Sequence, residues 1–305
     1  MKISPSRIAA FEILTKIEKE KAFSSVLLPI AEEKLETKDR ALCHELTLGT
    51  LRKQIYLDLI IEKLTNRKKL DSAVKIILRI GLYQMIFLDK IPAHAAINDS
   101  VNLVQMAKKT SAKGFVNAVL RKFTRETVEI EFEDEVEKLS VETSHPKWLI
   151  EKWIADFGFD ETSRLAAANN ETPKLDYRLT AKTTEATKGR IEGVTEGPSA
   201  EETKRQCDGV TKKQLFELAE KGEIYFQDKG SQMIGNAVEL RENEMFLDVC
   251  AAPGSKATYV ASKKAKGKRQ NLFVAGDLHF QRVRILQKNC RNQGVGFVNV
   301  LQYDA

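Results

Sequence analysis

The stretch that most restricts what this chain can fold into runs from residue 248 to residue 258, Asp-Val-Cys-Ala-Ala-Pro-Gly-Ser-Lys-Ala-Thr. An apolar run, Met245-Phe246-Leu247, leads into it and a helix-forming segment follows, so the residues spell strand, turn and helix. A glycine just past a strand lets the backbone approach a ligand closely, because no Cβ stands in the way. The helix behind the turn offers free N–H groups to whatever lies above it. A second unit comes at once, with a strand over 272–276, Asp277 at its end and a helix over 280–292. In doubly wound folds an acidic residue at this place accepts hydrogen bonds from ribose hydroxyls. An aspartate ahead of a helix can equally be an N-cap. The Gly-x-Gly-x-x-Gly spacing of phosphate cradles is absent, which favours a ligand with a ribose and no pyrophosphate. Asp248 itself is read as ordering the turn.

A third strand is expected over 297–302, ending at Tyr303-Asp304-Ala305. Residues 4–126 read instead as nearly all helix. Ile8, Phe11, Ile13, Leu14 and Ile17 recur at helical spacing behind Ser4-Pro5, a cap and first turn. Thr37 is placed to cap a third helix, and further helices are expected near 55–64, 73–88, 93–108 and 113–124. Helices joined by such short loops pack as an antiparallel bundle. Between bundle and sheet lie an acidic connector over 127–142, a helix opened by Pro146, and strand-like segments at 174–180 and 223–227. Trp148 and Trp153 are expected to anchor this small module. The stretch 181–209 shows the least pattern.

Charge divides the chain in the same way. Residues 1–128 carry a net +9, residues 129–235 a net −8 and residues 236–305 a net +5, within a total of +6. Basic ends suit a polyanionic partner. The apolar run 76–88 is too short for a bilayer and is broken by Arg79, and the N-terminus lacks the apolar core of a signal peptide. A cytoplasmic protein that does not enter the membrane is expected. Cys43, Cys207, Cys250 and Cys290 are scattered without Cys-x-x-Cys spacing, which suggests neither a metal site nor disulfides.

Asp248-Val-Cys-Ala-Ala-Pro-Gly-Ser-Lys256, with Phe-Gln-Asp-Lys-Gly-Ser-Gln at 226–232 and Ala-Gly-Asp at 275–277, resembles the Sun (Fmu) family of S-adenosylmethionine-dependent RNA cytosine-5 methyltransferases, which act on small-subunit ribosomal RNA. The runs Ile-Pro-Ala-His-Ala-Ala-Ile-Asn from Ile91 and Lys-Gly-Phe-Val-Asn-Ala-Val-Leu-Arg-Lys from Lys113 look like the NusB-type RNA-binding domain that precedes the methyltransferase in that family. The resemblance implies a multidomain chain. Residues 1–128 would be an all-α NusB-like bundle and 129–230 an acidic connector with a small α+β module. Residues 231–305 would be the first part of a doubly wound, Rossmann-like α/β methyltransferase domain. It further implies that Cys250, Ala251, Ala252, Pro253, Gly254, Ser255 and Lys256 cradle S-adenosyl-L-methionine, that Asp277 holds its ribose and that Asp304 sits beside the adenine. His94, Asn98, Asn117, Arg121 and Lys122 are open both to RNA contact and to ordinary capping or solvation. The Gly-Ser-Lys form of the turn departs from the Gly-Gly-Lys common in this branch.

The chemistry implied needs a thiolate that adds to C6 of cytosine and a base that removes the C5 proton. The family supplies them from a Thr-Cys-Ser and a Pro-Cys-Ser segment, and neither occurs in these 305 residues. No catalytic residue is therefore assigned, and the chain alone is expected to be inactive. Strand one would remain an uncovered edge, so the chain is expected to be a fragment of a longer enzyme. Two alternatives stand beside this. One is a non-catalytic RNA-binding protein with a vestigial cofactor turn, and the other is an enzyme completed by a second chain.

Overall fold

The structure is a computed structural model that describes residues 3–67, 69–171, 175–191, 211–241, 243–264 and 271–304. The chain divides into two compact units, one up to Thr172 and one from Pro173. This division by packing is coarser than the three sequence segments and does not address their boundaries.

The first unit is helical: α1 (Pro5–Glu20), α2 (Ser24–Glu33), α3 (Thr37–Arg52), α4 (Gln54–Thr65), α5 (Ser72–Phe87), α6 (Ala93–Met106), α7 (Lys113–Phe123), α8 (Glu135–Thr143), α9 (Lys147–Phe157) and α10 (Phe159–Ala168). Its centre is α5, where Ile77, Leu78, Ile80 and Leu82 are fully buried. Burial of each such side chain contributes about 1.5–3 kcal/mol. Asp71 starts this helix by accepting hydrogen bonds from the N–H groups of Ala73 and Val74 at 3.0 and 3.3 Å. Arg79, which interrupts the apolar run, is buried too. Its guanidinium donates to both carboxylate oxygens of Asp58, at 2.7 and 2.8 Å, and to Glu18 at 3.3 Å.

Two of the sequence-derived caps turn out differently. Ser4 flanks α1 but makes no cap bond, and its hydroxyl meets Ser6 instead. Thr37 is the first residue inside α3, with Glu36 in the cap position. Of the two tryptophans, Trp153 packs against a small core of Leu139, Ile150 and Ala166, whereas Trp148 is 64% exposed. Their five-residue spacing puts them on different faces of α9, and only one face is buried. Trp148 is no anchor.

The second unit holds β1 (Tyr177–Leu179), α11 (Glu185–Ile191), α12 (Lys212–Lys221), β2 (Ile224–Phe226), α13 (Lys229–Ala237), β3 (Met245–Asp248), α14 (Ser255–Lys264), β4 (Leu272–Asp277), α15 (Phe280–Asn292) and β5 (Asn299–Gln302). β1 and β2 pair antiparallel, Tyr177 opposite Phe226, with α12 against β2 over Leu215 and Ile224. α12 opens on a capping box in which Thr211 and Gln214 exchange side-chain and backbone bonds. Residues 192–210, which take in Cys207, lie outside the described residues.

β3, β4 and β5 form a parallel sheet in that order, Met245 opposite Leu272 and Val274 opposite Asn299. The side-chain alternation of strands gives the sheet two faces. Phe246, Phe273, Ala275 and Val300 lie on one and pack with Ala257, Val260, Leu286 and Cys290 of α14 and α15. Met245, Leu247, Leu272 and Leu301 lie on the other and are exposed. Among the described residues, no helix is long and apolar enough to cross a membrane.

Candidate cofactor-binding site

The turn between β3 and α14 is held at every step by the backbone around it. Asp248, ending β3, accepts from the Cys250 N–H at 3.2 Å. Ala251 N–H donates to Gly276 O on the neighbouring strand at 2.9 Å, and Gly254 N–H closes back onto Ala251 O at 2.6 Å. Gly254 has φ +102°, a region that L side chains rarely adopt, and a Cβ there would stand 2.7 Å from Leu286 Cδ1. From the far side Arg282 Nη2 donates to Ala252 O at 3.0 Å and Asn289 Nδ2 to Pro253 O at 2.8 Å.

Within the turn Ala251, Ala252 and Gly254 are buried, Ser255 is half-buried, and Cys250, Pro253 and Lys256 are exposed. Asp277, at the end of β4, is only 3% exposed. Its Oδ1 meets the His279 N–H at 3.4 Å, and Arg282 Nη2 stands 3.3 Å from Oδ2 as an ion pair. Among the described residues, Oδ2 nevertheless accepts no hydrogen bond. The N-cap of α15 is His279, not Asp277. The alternative role open to this aspartate in the sequence is therefore not the one it plays. Arg282 draws the turn and Asp277 together by touching both. Asp304 follows β5 two positions beyond the Asp277–Gln302 pair and is exposed.

Tyr303 is an unanticipated member of the neighbourhood. Its ring crosses the end of β4 so closely that a Cβ on Gly276 would be 1.9 Å from it, and its Oη is buried without a partner among the described residues. Desolvation, with Cys250 and Asp248 near by, raises its pKa. Burial likewise raises the Asp248 carboxyl, against the lowering effect of the Cys250 N–H and the Lys256 charge. An open groove of about 380 Å³ abuts the turn, lined by Asp176, Tyr225, Asp228, Ser231, Pro253 and Ser255. No periodicity or spacing announces Arg282, Asn289 or Tyr303, because each reaches the turn from an element distant in sequence.

The cysteines differ sharply. Cys43 is buried in the bundle, and burial pushes its thiol up. Cys290 is buried under α15, and desolvation pushes its thiol up to about 11. The adjacent Lys288 and Arg291 are exposed and do not reverse this. Cys250 is exposed in the turn. Among the described residues, no cluster of His, Cys, Asp and Glu could hold a metal ion. In the bundle, His94 and Asn98 are exposed on α6, Arg121 Nε donates to Asn117 Oδ1 at 3.1 Å, and Lys122 Nζ donates to Leu64 O at 3.3 Å.

A helical bundle, a small strand pair with helices, and a parallel sheet opening on a glycine turn with a buried acid at the next strand end define a multidomain chain of the RNA-methyltransferase type. Comparison with known proteins supports each part. Residues 4–125 match the NusB family, 145–210 the ferredoxin-like domain of RsmF/B-like methyltransferases, and 236–305 the 16S rRNA methyltransferase RsmB/F family. The probable ribosomal RNA small subunit methyltransferase B of Bacillus subtilis (strain 168) is 32% identical over 317 residues, covering 100% of this chain and 70% of that protein. The corresponding protein of Pseudomonas putida is 32% identical over 93% of this chain and 65% of its own length. The crystal structure of PH0851 shares the fold with a TM-score of 0.66 at 19% identity, over 100% of this chain and 70% of that one. The chain belongs to the ribosomal RNA small subunit methyltransferase B family, and it spans about two thirds of the length of these relatives.

Proposed function

We propose that these residues form the RNA-binding and cofactor-binding parts of an S-adenosylmethionine-dependent enzyme that methylates C5 of cytosine in 16S (small-subunit) ribosomal RNA, in the cytoplasm. One observation carries the reading: Asp277, almost fully buried beside the glycine turn, has an Oδ2 that takes no hydrogen bond among the described residues and only the 3.3 Å ion pair with Arg282. A buried acceptor left open costs about 1–3 kcal/mol, and a ribose hydroxyl would satisfy it. S-adenosylmethionine, when bound, would supply an activated methyl group. The turn 250–256 would hold its methionine portion, Asp277 its ribose and Asp304 the edge of its adenine. Arg282 aims the Asp277 carboxylate by standing against one side of it.

The basic bundle 1–128 would bring the RNA, the connector 129–230 would position it, and 231–305 would present the cofactor. Neither Cys43 nor Cys290 is placed to act as nucleophile, since both are buried with raised thiol pKa values. Cys250 is committed to the turn. The thiolate and its partner base would come from a segment outside these residues, in the same polypeptide or a second chain. The test is calorimetry with S-adenosylmethionine on this chain. It is paired with transfer of labelled methyl to small-subunit RNA by the longest natural form of the protein. Micromolar binding by the parent and label at cytosine C5 are expected, and absence of binding would overturn the cofactor reading. The alternative of a non-catalytic RNA binder is favoured if RNA binds in a salt-dependent way while the cofactor does not.

A further inference from the structure

Arg178, on β1, is a buried cation whose hydrogen bonds among the described residues all run to neutral acceptors. Nε donates to Gln227 Oε1 at 2.6 Å. Nη2 donates to Gln293 Oε1 at 2.7 Å, to Thr258 Oγ1 at 2.8 Å and to Ser255 O at 3.3 Å. The rings of Tyr225 and Tyr259 flank the guanidinium at 5.1 and 5.0 Å. Burial lowers its pKa to about 10. Burying an ion without a counter-charge is costly, so its place calls for a reason beyond packing.

The contact with Thr258 supplies one. A guanidinium can only donate, so Thr258 Oγ1 must accept from it. The hydroxyl proton is then directed onward, and the nearer acceptor is Gly254 O at 2.6 Å, with Ser255 O at 3.5 Å. Gly254 is the turn residue with positive φ. Because the next peptide is planar and trans, the direction of the Gly254 carbonyl sets the Ser255 N–H pointing the opposite way. Ser255 begins α14, so its N–H has no partner inside the helix and is one of the donors the turn has to offer.

We propose that Arg178 is a positioning residue for the cofactor turn, acting through Thr258 to fix the Gly254–Ser255 peptide. The relay ties the strand pair β1–β2, the residue leading into Asp228-Lys229-Gly230-Ser231 and the C-cap residue of α15 to one rotor of the cofactor loop. The proposal rests on the reading that this turn binds S-adenosylmethionine.

Thr258→Val keeps the shape and removes the relay, and Thr258→Ser restores the hydroxyl without the methyl group. The first measurement is the Kd for S-adenosylmethionine by calorimetry. The second is amide exchange at Ala251, Gly254 and Thr258 in the ligand-free protein. Thr258→Val should weaken binding about ten-fold and speed exchange at these amides, while Thr258→Ser stays within about two-fold of the parent. Arg178→Lys, which loses the fork, should match Thr258→Val and add little when combined with it. Val295→Ala, in the core of the same unit, is the control for plain loss of stability. It should lower the unfolding midpoint and leave Kd unchanged. Parent-like affinity and exchange in Thr258→Val, or Thr258→Ser as impaired as Thr258→Val, would overturn the proposal. If the parent itself binds no cofactor, the functional reading fails separately, and exchange in the ligand-free proteins still decides the relay.

Discussion

Replacing Gly254 by alanine puts the turn between β3 and α14 under two independent loads. At φ +102° a residue with a Cβ is held in a sparsely populated backbone region, which costs about 1–3 kcal/mol. The new methyl would also stand 2.7 Å from Leu286 Cδ1. Leu286 is fully buried in the core shared by α14, α15 and the sheet, so it has little room to withdraw. Overpacking of this kind costs about 1–3 kcal/mol. Together the loads amount to about 2–6 kcal/mol on the second unit. Urea unfolding resolves where the loss falls, because both tryptophans, at 148 and 153, belong to the first unit. Far-UV circular dichroism follows both units, while tryptophan emission follows the first. Gly254→Ala should lower the tryptophan-silent midpoint by about 1–2 M urea and leave the emission-reported midpoint in place. A tryptophan-silent midpoint within about 0.3 M of the parent would refute the argument, since neither load could then exist at the stated size.

Asp277→Asn should weaken S-adenosylmethionine binding at least about ten-fold, the worth of a charged hydrogen bond, without lowering the unfolding midpoint. Calorimetry and denaturation on one preparation separate the two effects, and equal loss in both would make Asp277 structural. The raised pKa of Asp248 means that the folded state takes up a proton before the unfolded state does as pH falls. Its contribution to stability is therefore fully present below the ordinary carboxylate range and lost as pH rises through the raised value. Asp248→Asn should flatten that part of the stability–pH curve, and an unchanged slope would show that another group sets it. Alkylation followed by mass spectrometry should modify Cys250 in the native protein and leave Cys43 and Cys290 unmodified until urea unfolds it. Rapid native labelling of Cys290 would contradict its burial.

How far the sequence carried depended on whether a feature is written locally. The α15 helix was legible residue for residue, because Val283, Leu286 and Cys290 recur at helical spacing between polar neighbours. The turn and the parallel units were legible because Gly254 and the acids ending β3 and β4 mark backbone events at single positions. Asp277 was legible as an acid at a strand end, yet its two possible roles were not separable there. The structure adds that it is buried and that His279 takes the cap position of α15. Arg178, Thr258, Arg282 and Tyr303 were not legible. Arg178 lies 80 residues from Thr258 and 115 from Gln293, and no local pattern records a partner that far away. Trp148 was misread for the opposite reason. A large aromatic suggests burial on composition alone, but the face of α9 it occupies is uncovered.

The sheet explains why the site is ordered on one side in particular. Parallel strands are normally covered on both faces. Here the covered face carries Phe273, Ala275 and Asp277, and it is the one against which α14 and α15 pack. The groups that fix the turn, Arg282 and Asn289 of α15 and Thr258 of α14, all belong to helices on that side. The opposite face presents Met245 at 74% and Leu247 at 60% exposure, and Tyr303 lies over Gly276 on it. β4 nevertheless has a paired strand on each edge, so the strand that carries Asp277 has its ladder complete. The acid and the turn are thus held by contacts that do not depend on what covers the exposed face. It follows that substitutions at Met245 or Leu247 act on solubility and association, whereas those at Thr258, Arg282 or Leu286 act on the geometry of the turn between β3 and α14.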